Sequence, residues 1–152
     1  MDCVVGTGRA CLLVLTERHS RMQRIFKMPA KTQANVVAVL NRLERKHKGA
    51  FSRLFKTITV DNGGEFLDAF GMEASCRKTN AKRTTVYYAH PYSAWERGSN
   101  ENANRLIRRF VPKGTDIGKL SKQDVARIEY WMNHYPRRLF GYRSAFSVFY
   151  AT

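Results

Sequence analysis

The sequence predicts an α/β fold in which a five-stranded mixed sheet carries helices on both faces. Two observations predict it. Three short apolar or alternating segments follow one another near the start, and helical periodicity then alternates with β-branched runs. Consecutive strands of the first kind form an antiparallel meander, and strands separated by helices pair in parallel. The length, 152 residues, suits one domain with a single core. A composition that is 43% hydrophobic and 12% aromatic is too apolar for a disordered chain.

The elements follow in order. Asp2 to Val5 is short, apolar and β-branched, and Gly6-Thr7-Gly8 turns the chain. Cys11-Leu-Leu-Val-Leu15 is an unbroken apolar run, as expected of a strand buried on both faces. Beyond Arg18-His-Ser20, residues Met22, Arg24, Phe26 and Met28 alternate with Arg21, Gln23, Ile25 and Lys27, which predicts a third strand nearer an edge. Pro29 ends it. Thr32 stands where an N-cap belongs, Val36, Leu40, Leu43 and His47 follow at helical spacing, and Gly49 stops the helix. Thr57-Ile-Thr-Val60 is a fourth strand, ending at the turn Asp61-Asn62-Gly63-Gly64. Glu65 to Met72 reads as helix, Arg77 to Arg83 as a basic surface loop, and Thr84 to Ala89 as a fifth strand. His90 to Asn100 is a loop. Helices are predicted over Glu101–Phe110 and Ser121–His134, the second opening on the capping-box pattern Ser121-x-x-Asp124. The order β-β-β-α-β-α-β-α-α is that of a ribonuclease-H-like domain.

Charge narrows the class of partner. The chain has 27 Lys and Arg against 12 Asp and Glu, a net charge of +15. A surface this basic attracts polyanions, and nucleic acid is the default polyanion, because phosphate contacts release counterions whatever the base sequence. Cys3, Cys11 and Cys76 have neither disulfide-framework nor zinc-ligand spacing. With no long apolar run, the expectation is a soluble cytoplasmic protein that does not engage a membrane.

The acids suggest the chemistry. Two-metal phosphoryl transfer needs carboxylates that converge from strand ends and a passing helix, since hard cations take oxygen ligands. Asp61 lies where an apolar strand stops and a glycine-rich turn begins, the sheet edge where α/β ligand sites gather. The alternative is an Asx-type turn residue ahead of Asn62-Gly63. Glu101 opens a helix whose Ala103, Leu106, Ile107 and Phe110 share one face, with Glu101, Arg105 and Arg108 opposite. The alternative for Glu101 is a first-turn acid paired with Arg105 four residues on. Asp2 sits on the first strand, expected next to the strand of Asp61; its alternative is a polar residue at a frayed end. Glu65 and Asp68 read as surface acids, His90 as a loop histidine, and Cys3 and Cys11 as core residues.

Several stretches resemble the catalytic domain of insertion-sequence transposases of the family numbered thirty, in the retroviral-integrase-like superfamily. They are Asp2-Cys-Val-Val-Gly6, Leu15-Thr-Glu-Arg-His-Ser-Arg21, Ile58-Thr-Val-Asp-Asn-Gly63 with Glu65-Phe66, and Tyr92-Ser93. Trp95-Glu-Arg-Gly-Ser-Asn-Glu-Asn102, Leu106-Ile-Arg108, Pro112-Lys-Gly-Thr-Asp116 and Pro136-Arg-Arg-Leu-Phe-Gly-Tyr142 continue the match across essentially the whole chain. The resemblance implies that Asp2, Asp61 and Glu101 are a DDE triad holding two Mg²⁺ or Mn²⁺ ions. It implies cleavage at DNA ends and strand transfer, with transposon ends and target DNA as partners, a homo-oligomeric active form, and a nucleoid location in a prokaryotic cytoplasm. Residues 1–152 are expected to be the catalytic core alone, without the helix-turn-helix region that family members carry ahead of it. The interval from Asp61 to Glu101 is longer than that family's usual one, and the extra length is expected in the Arg77–Arg83 loop. Tyr135 stands where the family often has Arg, and Ala145 where it often has Pro.

Arg105, Arg108 and Arg109 are expected to line the DNA path, and Lys113, Arg137 and Arg138 to extend it; the alternative is solvated surface charge. Asn100 and Asn102 flank the acid and would orient it or touch DNA, although Asn100 also suits a helix cap. Trp95 is expected to pack beneath the loop that precedes Glu101. Two other functions fit the same residues: a ribonuclease-H-type nuclease that cuts without strand transfer, and an inactive transposase fragment that only binds DNA.

Overall fold

The computed structural model describes residues 1–93 and 98–152, so the expectation for Trp95 lies outside the described residues. Among the described residues the chain forms two compact bodies. One comprises Met1 and residues 30–93; the other comprises residues 2–29 together with 98–152.

The second body is built on the meander. Strands β1 (Asp2–Val5), β2 (Cys11–Thr16) and β3 (Gln23–Met28) pair antiparallel in that order, with Asp2 opposite Val14 and Val14 opposite Ile25. The apolar run of β2 is buried throughout from Cys11 to Leu15, as the central strand of three requires. Helices α4 (Gly98–Ile107) and α5 (Lys122–His134) supply Ala103, Leu106, Ile107, Ile128 and Met132 to a core shared with Val4, Leu12, Val14 and Ile25. The capping box of α5 is formed: the Ser121 hydroxyl accepts from the Asp124 amide at 3.0 Å, and the Ser121 amide donates to the Asp124 carboxylate at 2.8 Å. A short helix the periodicity did not reveal, α6 (Ala145–Tyr150), starts at the Ser144 cap and lays Phe146 against His134.

Strand β3 is an edge, and α5 seals it. Asn133 accepts from the Gln23 amide at 2.7 Å and donates to the Gln23 carbonyl at 3.0 Å, while Glu129 accepts from the Ile25 amide at 2.8 Å. At the other end of the meander the β1–β2 turn is covered by the segment after α4. Thr7 donates its amide to the Thr115 carbonyl, and a Cβ on Gly6 would fall 2.0 Å from that same oxygen. Only glycine admits so close an approach.

The first body holds α1 (Gln33–His47), α2 (Phe51–Leu54), β4 (Thr57–Val60), α3 (Ala69–Glu73) and β5 (Thr85–Tyr88). Strands β4 and β5 pair in parallel, Val60 opposite Tyr88. Thr32 caps α1 through the Asn35 amide, as its position predicted. The single helix expected from Glu65 to Met72 is instead a 3₁₀ turn over Gly64–Phe66 followed by α3. The break falls at Asp68, whose carboxylate accepts from the Gly71 amide and starts a new helix.

The basic stretch from Arg77 to Arg83 is only partly a surface loop. Arg83 is 2% exposed and donates to the Met72 and Gly71 carbonyls at 2.8 and 2.9 Å, to Asn41, and to the Glu44 carboxylate at 3.2 Å. Glu44, itself buried on α1, also accepts from the Ser75 hydroxyl and, at 2.9 Å, from the Cys76 amide. An ion pair with its remaining donors and acceptors satisfied is the form in which charge tolerates burial, and this one fastens α3 and the loop to α1.

Candidate active site

Asp61 follows β4 directly, and its Oδ1 accepts from the Gly63 amide at 2.9 Å. The Asx turn considered from the sequence is therefore formed, and it fixes the carboxylate at the strand end. Asn62 donates to the Ala89 carbonyl at 3.3 Å, tying this turn to the end of β5. Glu65, expected on the surface, is buried at 6% exposure, with its carboxylate 3.5 Å from the Lys31 ammonium. A Cβ on Gly63 would lie 2.9 Å from Asp61 Oδ1 and 2.6 Å from Glu65 Oε2. The φ of Gly63, −60°, is ordinary, so glycine is needed here for space between two carboxylates and not for backbone freedom.

In the second body, Asp2 is half-buried on β1. Its Oδ1 accepts from the Cys3 amide at 2.9 Å and its Oδ2 from the side-chain amide of Asn104 at 2.7 Å. Helix α4 starts at Gly98, earlier than expected, which puts Glu101 in its first turn and Asn104 one turn further along. Residues three apart share a helix face, so the bond from Asn104 to Asp2 turns the Glu101 side of α4 toward the start of β1. Glu101 itself is exposed. Arg21, at the close of the β2–β3 loop with φ 64°, reaches the Ser99 hydroxyl in the same first turn. Glu17 organises that loop, accepting from the His19 and Ser20 amides and the Ser20 hydroxyl. Burial raises the Glu17 pKa, but these hydrogen bonds outweigh it and leave the carboxyl below its usual range.

The residues expected to meet DNA divide. Arg105, Arg109, Lys113 and Arg138 are exposed, and Arg105 donates to Asn102 at 2.8 Å instead of pairing with Glu101. Arg108 is half-buried and donates to the carbonyls of Val5 at 2.9 Å and Val111 at 3.4 Å, so it braces backbone. Two expectations are corrected. Asn100 is buried inside α4, neither its cap nor a surface contact, because the helix begins two residues before it. Arg137 is 7% exposed, donates to the Met132 carbonyl at 3.0 Å and lies 4.5 Å from the centre of the Tyr135 ring. Burial lowers its pKa, and a guanidinium packed this way does not extend a DNA-facing surface. The sequence reading did not bring out the bond of Asn104 to Asp2 or the burial of Glu65 beside Asp61. The position of Asn104 three after Glu101 was the available signal for one; nothing local signalled the burial of the other.

Among the described residues, no group of three or more His, Cys, Asp or Glu side chains is drawn together as a metal site. The donor chemistry of Asp2, Asp61 and Glu101 nevertheless suits Mg²⁺ or Mn²⁺, which prefer carboxylate oxygens. Asp2 and Asp61 are already oriented by N–H donors of the kind that fix metal-binding carboxylates.

The fold defines a class. Over 99% of this chain and 91% of the other, the structure is similar to the catalytic core domain of the integrase of BIV, with a TM-score of 0.65 at 15% sequence identity. The fold is thus α/β and ribonuclease-H-like, of the integrase-core kind. In sequence the chain is similar to insertion-sequence transposases, as the motifs implied. It is 34% identical over 143 residues to the transposase of IS4351 from Bacteroides fragilis, and 32% identical over 148 residues to that of IS1086 from Cupriavidus metallidurans. The InsI transposase of IS30C from Escherichia coli K12 is 31% identical over 143 residues. These matches cover 93%, 97% and 94% of this chain but 41%, 41% and 35% of the relatives, so the chain spans about two fifths of their length. No family model matches. Among the described residues, no helix is long and apolar enough to cross a membrane.

Proposed function

We propose that this chain is the catalytic core of an insertion-sequence transposase, an enzyme that cuts DNA ends and joins them to target DNA, with Asp2, Asp61 and Glu101 as its acids. The observation that carries the proposal is the hydrogen bond from Asn104 to Asp2, which turns the Glu101 face of α4 toward the strand bearing the first acid. The similarity to transposases over nearly the whole chain supports it. A single catalytic domain over residues 1–152, with one five-stranded mixed sheet, belongs to the same proposal.

Asp2, Asp61 and Glu101 would hold two Mg²⁺ or Mn²⁺ ions, whose chemistry is to activate the attacking oxygen and stabilise the leaving one. The chain's own residues position those oxygens. In cleavage, a water oxygen forms the new bond to phosphorus and the 3′-oxygen leaves. In strand transfer, that 3′-hydroxyl attacks a phosphodiester of the target, one ester bond replaces another, and no covalent protein–DNA intermediate is needed. The exposed Arg105, Arg109, Lys113 and Arg138 supply positive charge for the DNA backbone, and charge of this kind gives binding without base preference. The active form is a homo-oligomer holding two DNA ends.

The test is plasmid nicking by the purified chain with Mn²⁺, beside Asp61→Asn and Glu101→Gln. The proposal expects nicking in the parent, lost in both variants while DNA binding and far-UV circular dichroism persist. Nicking that survives either substitution removes that acid from the site. A parent that binds DNA and never nicks it supports the binding-module reading instead. A joined DNA product separates a transposase core from a nuclease of the same fold.

A further inference from the structure

Glu65 is a buried acid beside Asp61 that the proposed mechanism does not use. It lies below the surface four residues after Asp61, and its Oε2 and Asp61 Oδ1 both lie within 2.9 Å of the position a Cβ on Gly63 would take. The two oxygens are separated by no more than the sum of the 2.6 and 2.9 Å that each keeps from a Cβ built on Gly63. At such range two carboxylates feel each other's charge strongly. The Lys31 ammonium, 3.5 Å from Glu65 Oε1 and with a side chain 45% exposed, faces the buried acid from the segment before α1. Gln33, at the start of that helix, donates to the Gly64 carbonyl at 3.1 Å and holds the same segment against the turn.

A buried carboxylate close to a second carboxylate is unfavourable unless positive charge compensates it, and the Lys31 ammonium supplies such charge to Glu65. We propose that Glu65 is a positioning residue that acts through Asp61. Its negative charge raises the affinity of the Asp61 carboxylate for a divalent cation, and Lys31 sets how much of that charge the cation feels. The inference rests on the reading of Asp61 as a metal ligand. It makes Glu65 a source of field and of turn geometry; contact with the cation is not required.

Opposite signs distinguish this role from a merely structural one. Glu65→Gln keeps the shape and removes the charge, so Mn²⁺ binding to the whole chain, read by electron paramagnetic resonance without DNA, is expected to weaken about tenfold. Lys31→Met removes the compensating positive charge, so binding is expected to tighten by roughly threefold to tenfold. A structural role for either residue predicts weakening in both variants or a change in neither, and each result overturns the inference. Asp61→Asn is measured alongside. If it weakens Mn²⁺ binding while Glu65→Gln does not, only the role of Glu65 falls; if it leaves binding unchanged, the metal-ligand reading falls and the inference with it. Should Glu65→Gln fail to fold, the exposed Lys31→Met decides: tighter binding supports the proposal, and unchanged or weaker binding overturns it.

Discussion

Arg83→Met is the substitution with the largest expected effect on stability. It removes a guanidinium that is 2% exposed and that donates to two backbone carbonyls, to Asn41 and to Glu44. The methionine fills most of the volume, so the loss is electrostatic: a buried carboxylate without its cation and two carbonyls without donors. Breaking a buried pair from one side destabilises by about 3–5 kcal/mol. With a urea dependence of about 2 kcal/mol per molar, the midpoint should fall by roughly 1.5–2.5 M, followed by far-UV circular dichroism at pH 7. A fall below about 0.5 M would refute the assignment of this pair as the fastening between α1 and α3. Glu44 adds a pH signature. Burial raises its pKa, but hydrogen bonds from the Ser75 hydroxyl, the Cys76 amide and Arg83 outweigh burial, so the carboxyl titrates below its ordinary 4.5. A depressed acid contributes stability that is complete above the unfolded pKa and disappears as pH falls through the folded one. The stability difference between the parent and Glu44→Gln should therefore be constant from pH 7 to about 5 and shrink below about 4.5. A gap that stays constant down to pH 3 would exclude this linkage.

Other consequences are open to measurement. Asn104→Ala should lower metal-dependent nicking by about tenfold to a hundredfold, as loss of a partner to a metal-binding carboxylate does elsewhere, and Asn104→Asp more, since it sets a like charge against Asp2. Activity equal to the parent in both variants would remove Asn104 from the support of that acid. Asn133→Ala should lower stability by about 2–4 kcal/mol by stranding the Gln23 amide and carbonyl, and should promote association through the opened edge of β3; an unchanged urea midpoint and sedimentation profile would contradict both. Arg138→Ala and Arg109→Ala should each flatten the salt dependence of DNA affinity by about one in the logarithmic slope at unchanged stability. Arg108→Met should chiefly lower the melting temperature, and the reverse pattern would interchange their roles.

Much of the architecture was legible because it depends on local pattern. The unbroken apolar run of β2, the Thr32 cap and the Ser121-x-x-Asp124 box all act within a few residues, and each element formed where those signals stood. Asp61 was legible as a strand end for the same reason. What stayed hidden depends on partners distant in the chain. Arg83 sits among basic neighbours that are solvated, and its burial follows from Glu44 and Asn41 on a helix some forty residues earlier. Arg137 and Arg138 are identical in sequence context, yet one packs on Tyr135 and the other faces water. Glu65 resembles any exposed acid after a turn until Lys31 is brought beside it. Helix α6 and helix α2 are too short for a 3.6-residue period to emerge.

The body that bears Asp2 and Glu101 is discontinuous in sequence, drawn from residues 2–29 and from 98 onward, with the whole of the other body's 30–93 segment intervening. During synthesis the meander leaves the ribosome with the bare edge of β3 and the uncovered Gly6 turn waiting for Asn133 and Thr115. The 30–93 segment has its helices, both its strands and its buried ion pair in hand by then. The order of synthesis is thus the reverse of the order of completion: the meander, made before the 30–93 segment, becomes native after it, and a translational pause anywhere between residues 30 and 133 prolongs the interval in which the edge of β3 is exposed.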